Sequence, residues 1–191
     1  MMNLKKMLNI VFSLLGQPAI AWRGISHCEN RVPMFNTFLY PLIMLCCLSS
    51  FVGTLLTLDF GFESFYYASI KMGVVFATLF FSFYLSSFLV ARFSAVYMKA
   101  EYDRLLTDLL TGYSMVVVLL LELCLNLFPN FRIICWILQF YTVKIVWDGA
   151  AVLMRIPEER RLSFTMVVSL VLIITPVMIG SMMSMLSASF G

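Results

Sequence analysis

An all-α polytopic membrane protein, a bundle of five transmembrane helices, is the fold class that this sequence predicts, and three observations predict it. Of its 191 residues, 62% are apolar and 12% charged, against roughly 45 to 50% and about 25% in ordinary soluble domains. Five apolar runs, at about 36–58, 68–91, 109–128, 131–154 and 163–187, are each long enough to cross a hydrocarbon core of about 30 Å as helices. Ten Lys and Arg residues flank one side of these runs and two flank the other, the asymmetry that orients spans. The formal charge of +3 is too small and too dispersed for nucleic acid.

Residues 1–35 read as an amphipathic segment on the cytoplasmic membrane surface. Leu4, Leu8, Val11, Phe12 and Leu15 recur at helical spacing, with Lys5, Lys6 and Asn9 turned elsewhere. The apolar stretch Met7 to Leu15 is short for a secretory signal, and no small-residue cleavage site follows it, so it is expected to stay attached. Gly16 closes this helix, and Pro18 suits the first turn of a second, Ala19 to Ile25, in which Trp22 beside Arg23 is expected at headgroup level.

Residues 36–191 form the membrane domain. Pro41 falls in the first turn of span one, where a missing N–H costs little. Asp59 to Ser64 reads as an acidic turn wrapped in aromatic residues, and Lys71 is placed near the end of span two, free to snorkel. Arg92 to Leu110 carries Glu101, Arg104 and Asp108 at helical spacing, which reads as a solvated helix face. Span three holds Gly112 and Tyr113 near its start and Glu122 well inside. Pro176, in the middle of span five, is expected to kink it. The charge count places the N-terminus in the cytoplasm and, after five spans, the C-terminus outside.

Span four carries the sharpest signal. In a helix, Tyr141, Lys144, Asp148, Ala151 and Arg155 share one polar stripe. The ten Leu, Ile, Val and Phe residues of Ile133 to Met154 favour insertion by roughly 3 to 6 kcal/mol, while Lys144 and Asp148 oppose it by about 5 to 7. This span therefore needs the two charges to pair at i,i+4 or to find partners on neighbouring helices. Glu122, Tyr141, Lys144 and Asp148 are accordingly expected to form one intramembrane polar network. Such a network serves either as a proton or ion pathway or as a device that fixes helix register. No pair of broken helices with matching Gly or Pro is visible.

Other chemistry finds no footing. Cys46, Cys47, Cys124 and Cys135 lie in spans and Cys28 on the presumed cytoplasmic side, with no disulfide framework or metal-ligand spacing. The single His27 has no second His or CxxC near it, so neither a metal nor a cofactor is expected. HExxH, a phosphate-cradling glycine loop and a Ser/His/Asp set are all missing, which argues against an enzyme.

In the order and spacing of its short motifs the chain resembles the Yip family, multi-pass membrane proteins named in eukaryotes for binding Ypt/Rab-type GTPases. The motifs are Pro18 to Ile25 with Trp22, Gly112-Tyr113-Ser114, and Tyr141 to Asp148 followed by Gly149. The Asp-Leu-Tyr-Gly-Pro signature of the eukaryotic branch is absent, so Rab binding is not carried over. The resemblance points to the bacterial branch and implies an inner-membrane protein. Its role is expected to be non-enzymatic, organising membrane or binding a partner. Lipid, another membrane protein and a second copy of the chain are the candidate partners, and a small transporter is the alternative.

Overall fold

The computed structural model describes residues 4–27, 32–58, 61–98 and 103–189, and among them the chain is helical, with no strand. Cys28, Arg31, Asp59, Phe60, Lys99 and Glu101, which entered the readings above, lie outside the described residues. Five helical stretches are long and apolar enough to cross a membrane: Met34–Thr57, Phe62–Tyr97, Arg104–Leu127, Pro129–Val152 and Glu158–Ser187. They form the bundle of an integral membrane protein. Its near face carries the N-terminal helices; toward the opposite, far face lie the end of span one, the start of span two and the turn between spans three and four.

Helix α1 (Leu4–Gly16) buries Met7, Val11 and Leu14 and exposes Leu4, Leu8 and Phe12. Its apolar sector is about 160° wide at about 100° per residue, so one edge meets protein and the other is left for lipid. Val11, expected on the lipid stripe, belongs to the protein edge. In α2 (Pro18–Ile25), Trp22 is turned inward at 0% exposure, which corrects its expected place among headgroups. The reason is a buried acceptor: the indole Nε1 donates to the Ile145 carbonyl at 2.9 Å, supplying the polar partner that an interfacial tryptophan takes from water.

Span one opens with a π-helical turn, Met34–Leu39, before α3 (Tyr40–Thr57). The Tyr40 N–H donates to the Phe35 carbonyl, five residues back. Pro41 has no N–H to offer, and the wider turn lies immediately before it.

Span two is a single helix, α4 (Phe62–Met98), longer at both ends than its apolar run. It absorbs Phe62 to Ser64, read above as turn, and Glu63 suits the positive end of the helix dipole. Lys71 thereby lies nine residues inside α4 rather than at its end.

Span three joins α5 (Arg104–Ser114) to α6 (Val116–Leu127) through Met115. The Asp103 side chain caps α5, accepting from the Leu105 N–H at 2.8 Å. The solvated face expected here is corrected at Asp108: it is 3% exposed, accepts a hydrogen bond from the Ser87 hydroxyl and pairs with Arg104 at 3.6 Å. Asp108 is covered because α5 starts the span itself, so its inward side meets α4. Asp108→Ala should strand the Ser87 hydroxyl and lower stability by about 1 to 3 kcal/mol, read as thermal unfolding in detergent, whereas Asp103→Ala loses only a cap, about 1 kcal/mol.

Span four is interrupted at Phe140, between α7 (Arg132–Gln139) and α8 (Tyr141–Val152). Neither Phe140 nor Met115 is a Gly or Pro, and both keep right-handed helical angles, which is why the sequence shows no break at either. Helix α9 (Glu158–Ser189) runs through Pro176 without interruption.

Packing places these pieces. Helix α3 lies against both α4 and α6; α9 lies against α4 and α8; α8 also receives α2 and α5, while α7 stays with α6. The near half of span four thus joins the bundle, and its far half stands with span three.

Candidate intramembrane site

The motif residues of the three separate segments meet in one place. Trp22 and Tyr113 rings approach edge to face, centroids 6.2 Å apart at 88°, and Phe38 lies 4.8 Å from Tyr113. Gly149 makes room for this: a Cβ there would lie 2.5 Å from Leu110 Cδ1 and 2.8 Å from Trp22 Cε2. A Cβ at Gly112 would overlap the Met34 sulfur. Pro18 is buried at the start of the same α2 helix. Tyr141 adds a second tie, its hydroxyl donating to the Leu15 carbonyl at 2.6 Å. These residues fasten α1 and α2 to the near half of the bundle, with no open space for a substrate between Gly149 and Trp22.

Lys144 and Asp148 pair within α8 at 3.1 Å, with side chains 56% and 12% exposed. The four-residue network is therefore divided. Tyr141 belongs to the N-terminal tie, Lys144 and Asp148 to each other, and Glu122 to neither. Trp147, between them in sequence, lies under the Arg161 guanidinium at 5.3 Å.

Glu122 faces a cleft of about 930 Å³ on the far side, walled by α4, α6, α7 and α9. The cleft follows from the packing: α4 with α9 and α6 with α7 stand as two pairs, and α3 ties α4 to α6 behind them. Buried Thr54 of α3 contributes to its lining. Lys71 lies within electrostatic reach of Glu122 without closing to an ion pair. Asn126, one turn along from Glu122, is 8% exposed; it comes near the carboxylate but falls short of a hydrogen bond, and its Nδ2 is buried without an acceptor. Arg132 and Gln139 complete the polar lining, and Tyr67, Trp136 and Val177 stand exposed at the rim.

Of these residues the sequence reading singled out Glu122 alone. Asn126 was within its reach, because Glu122 and Asn126 are the two polar residues of the otherwise apolar stretch Val116–Leu127, spaced i,i+4. Lys71 was not, since its depth depends on how far α4 extends beyond its apolar run. Among the described residues, no group of His, Cys, Asp and Glu is placed to hold a metal ion. Cys46, Cys47, Cys124 and Cys135 are free thiols, and Cys46 donates to the Leu119 carbonyl at 3.1 Å. Compared with family models, curated proteins and solved structures, the chain matches none.

Proposed function

We propose that this chain is a Yip-like, non-enzymatic protein of a bacterial inner membrane that binds and organises other membrane components. One arrangement supports the reading above all: the ionisable groups are split between two faces. Glu122 and Lys71 line the far cleft, whereas Lys144 and Asp148 pair within α8, the helix on which the N-terminal helices rest. Buried Val75, Leu79 and Val118 line the cleft away from its charged residues. A continuous polar route would need acceptors and donors along its whole length, and these apolar side chains interrupt it. The near face carries most of the Lys and Arg residues, which supports a cytoplasmic near face and an outer C-terminus. Helix α1, with its second apolar edge, supports attachment of that face to lipid.

A small transporter is the second reading, and a specific feature favours it: the far-face cleft holds a carboxylate, Glu122, among membrane spans. Proton flux into dye-loaded proteoliposomes separates the two. The expected result is no flux above protein-free vesicles for the parent, Glu122→Gln or Lys144→Met. Robust flux in the parent that Glu122→Gln abolishes would overturn the binding role in favour of transport.

A further inference from the structure

We propose that the far-face cleft holds the phosphate of an anionic phospholipid headgroup, with Lys71 and Arg132 as its cationic partners and Asn126 as a hydrogen-bond donor. The inference rests on the binding role above and names the ligand of that cleft.

Charge gives the first reason. The cleft contains Lys71, Arg132 and one carboxylate, Glu122, so it keeps an excess of positive charge whether or not Glu122 carries a proton. Arg132 forms no ion pair among the described residues, and Lys71 does not close on Glu122. Two unneutralised cations, both exposed on one cleft, favour an anion there.

The second reason is the buried donor. Leaving an amide N–H without an acceptor away from water costs about 1 to 3 kcal/mol, and a phosphate oxygen would satisfy Asn126 Nδ2. In the structure that atom has no acceptor within hydrogen-bond distance, and the Glu122 carboxylate approaches without closing on it.

The third reason is the gradient along the walls, which selects an amphiphile over a free ion. In α4, Lys71 lies eight residues nearer the far end than Leu79; in α6, Asn126 stands in the same relation to Val118, and in α9 Ser184 to Pro176. Eight residues are about 12 Å of helix. Three walls therefore pass from polar to apolar over one depth, and Arg132 opens the fourth at its far end. The exposed rim at Trp136 and Val177 gives a lipid tail sideways access. A site of this volume is within the roughly 300 to 1,000 Å³ of ligand pockets, enough for a headgroup and the first part of its chains.

The test uses the full chain in vesicles that mix phosphatidylglycerol with phosphatidylcholine, followed by native mass spectrometry of the released protein. We expect phosphatidylglycerol to be retained about tenfold or more over phosphatidylcholine, whose choline cation offsets the charge of the same phosphate and is repelled by Lys71 and Arg132. The preference should vanish in Lys71→Met/Arg132→Met and persist in Glu122→Gln. Thermal unfolding in lipid-free detergent shows whether the double variant is folded; if it is not, Asn126→Leu and the single variants are compared in its place, each expected to weaken the preference. Equal retention of the two lipids, or an unchanged preference in folded variants, would overturn the proposal. So would inorganic phosphate that stabilises the detergent-solubilised protein as well as phosphatidylglycerol does, which would assign the site to a soluble anion. A parent protein with neither lipid preference nor proton flux defeats this inference alone, whereas Glu122-dependent flux defeats the binding role on which it rests.

Discussion

Gly53→Ala should be among the most damaging single substitutions in this protein. A Cβ at Gly53 would overlap the main-chain carbonyl oxygen of Asn126 and lie 2.9 Å from its carbon. Side chains can turn away from such a clash; a helix backbone cannot, so α3 and α6 must separate. Close approach of backbones at a small residue is a main source of helix association in membranes, where lipid removes the hydrophobic drive. Overpacking costs about 1 to 3 kcal/mol even where side chains give way, so we expect about 3 kcal/mol or more here, a fall of roughly 6 to 12 °C in unfolding temperature for a chain of this size. Gly73→Ala is the control, since a Cβ there meets nothing within 4 Å; it should be neutral or stabilising by up to about 1 kcal/mol. An unfolding temperature for Gly53→Ala equal to that of Gly73→Ala would show that α3 and α6 do not meet as described. Because Thr54 and Asn126 line the cleft, the same substitution should also spoil phosphatidylglycerol retention.

Trp22→Ala is the second large effect expected. The side chain is fully buried, stacked edge-on to Tyr113, seated on Gly149 and hydrogen-bonded to Ile145. Truncating a core aromatic residue costs about 3 to 5 kcal/mol. The loss should fall first on α1 and α2, which would become open to added protease from the near face while the spans stay protected. Trp22→Phe keeps most of the ring and removes only the N–H, so a loss of about 1 kcal/mol is expected. Gly149→Ala should be harmful alone, because its new methyl meets the Trp22 ring, and less harmful beside Trp22→Ala. A coupling of about 0.5 to 3 kcal/mol between the two is expected from double-variant thermal unfolding, and strict additivity would contradict the contact.

The five spans were legible in the sequence because each is a long apolar run, and a run of that length has few other uses. Their limits were not. Phe62 to Tyr67 and Glu158 to Arg161 extend their helices with aromatic and charged residues that an apolar window omits. That error moved Lys71 to a span end and hid the cleft. The pairing of Lys144 with Asp148 could be read from i,i+4 spacing and an insertion balance that neither charge meets alone. The sequence reading also expected Glu122, from another helix, in the same network, yet Lys144 is half-exposed, and its partner in the structure is Asp148 on its own helix. Asp108 shows the opposite failure: its spacing from Arg104 suits a solvated face, but the same interval serves a buried aspartate reached by a serine from α4. Spacing along one helix says which residues are neighbours and leaves open what covers them.

The ties between the first two helices and α8 also set a timetable for biogenesis. Trp22 donates to a residue 123 positions later and Tyr141 to one 126 positions earlier, so the seat for these helices does not exist until the ribosome has passed that interval. At about 5 to 20 residues per second, 123 positions take roughly 6 to 25 s. For that time the newborn N-terminal pair lacks its seat on α8, and the exposed row of Leu4, Leu8 and Phe12 suits a temporary berth on the bilayer surface as well as a final one.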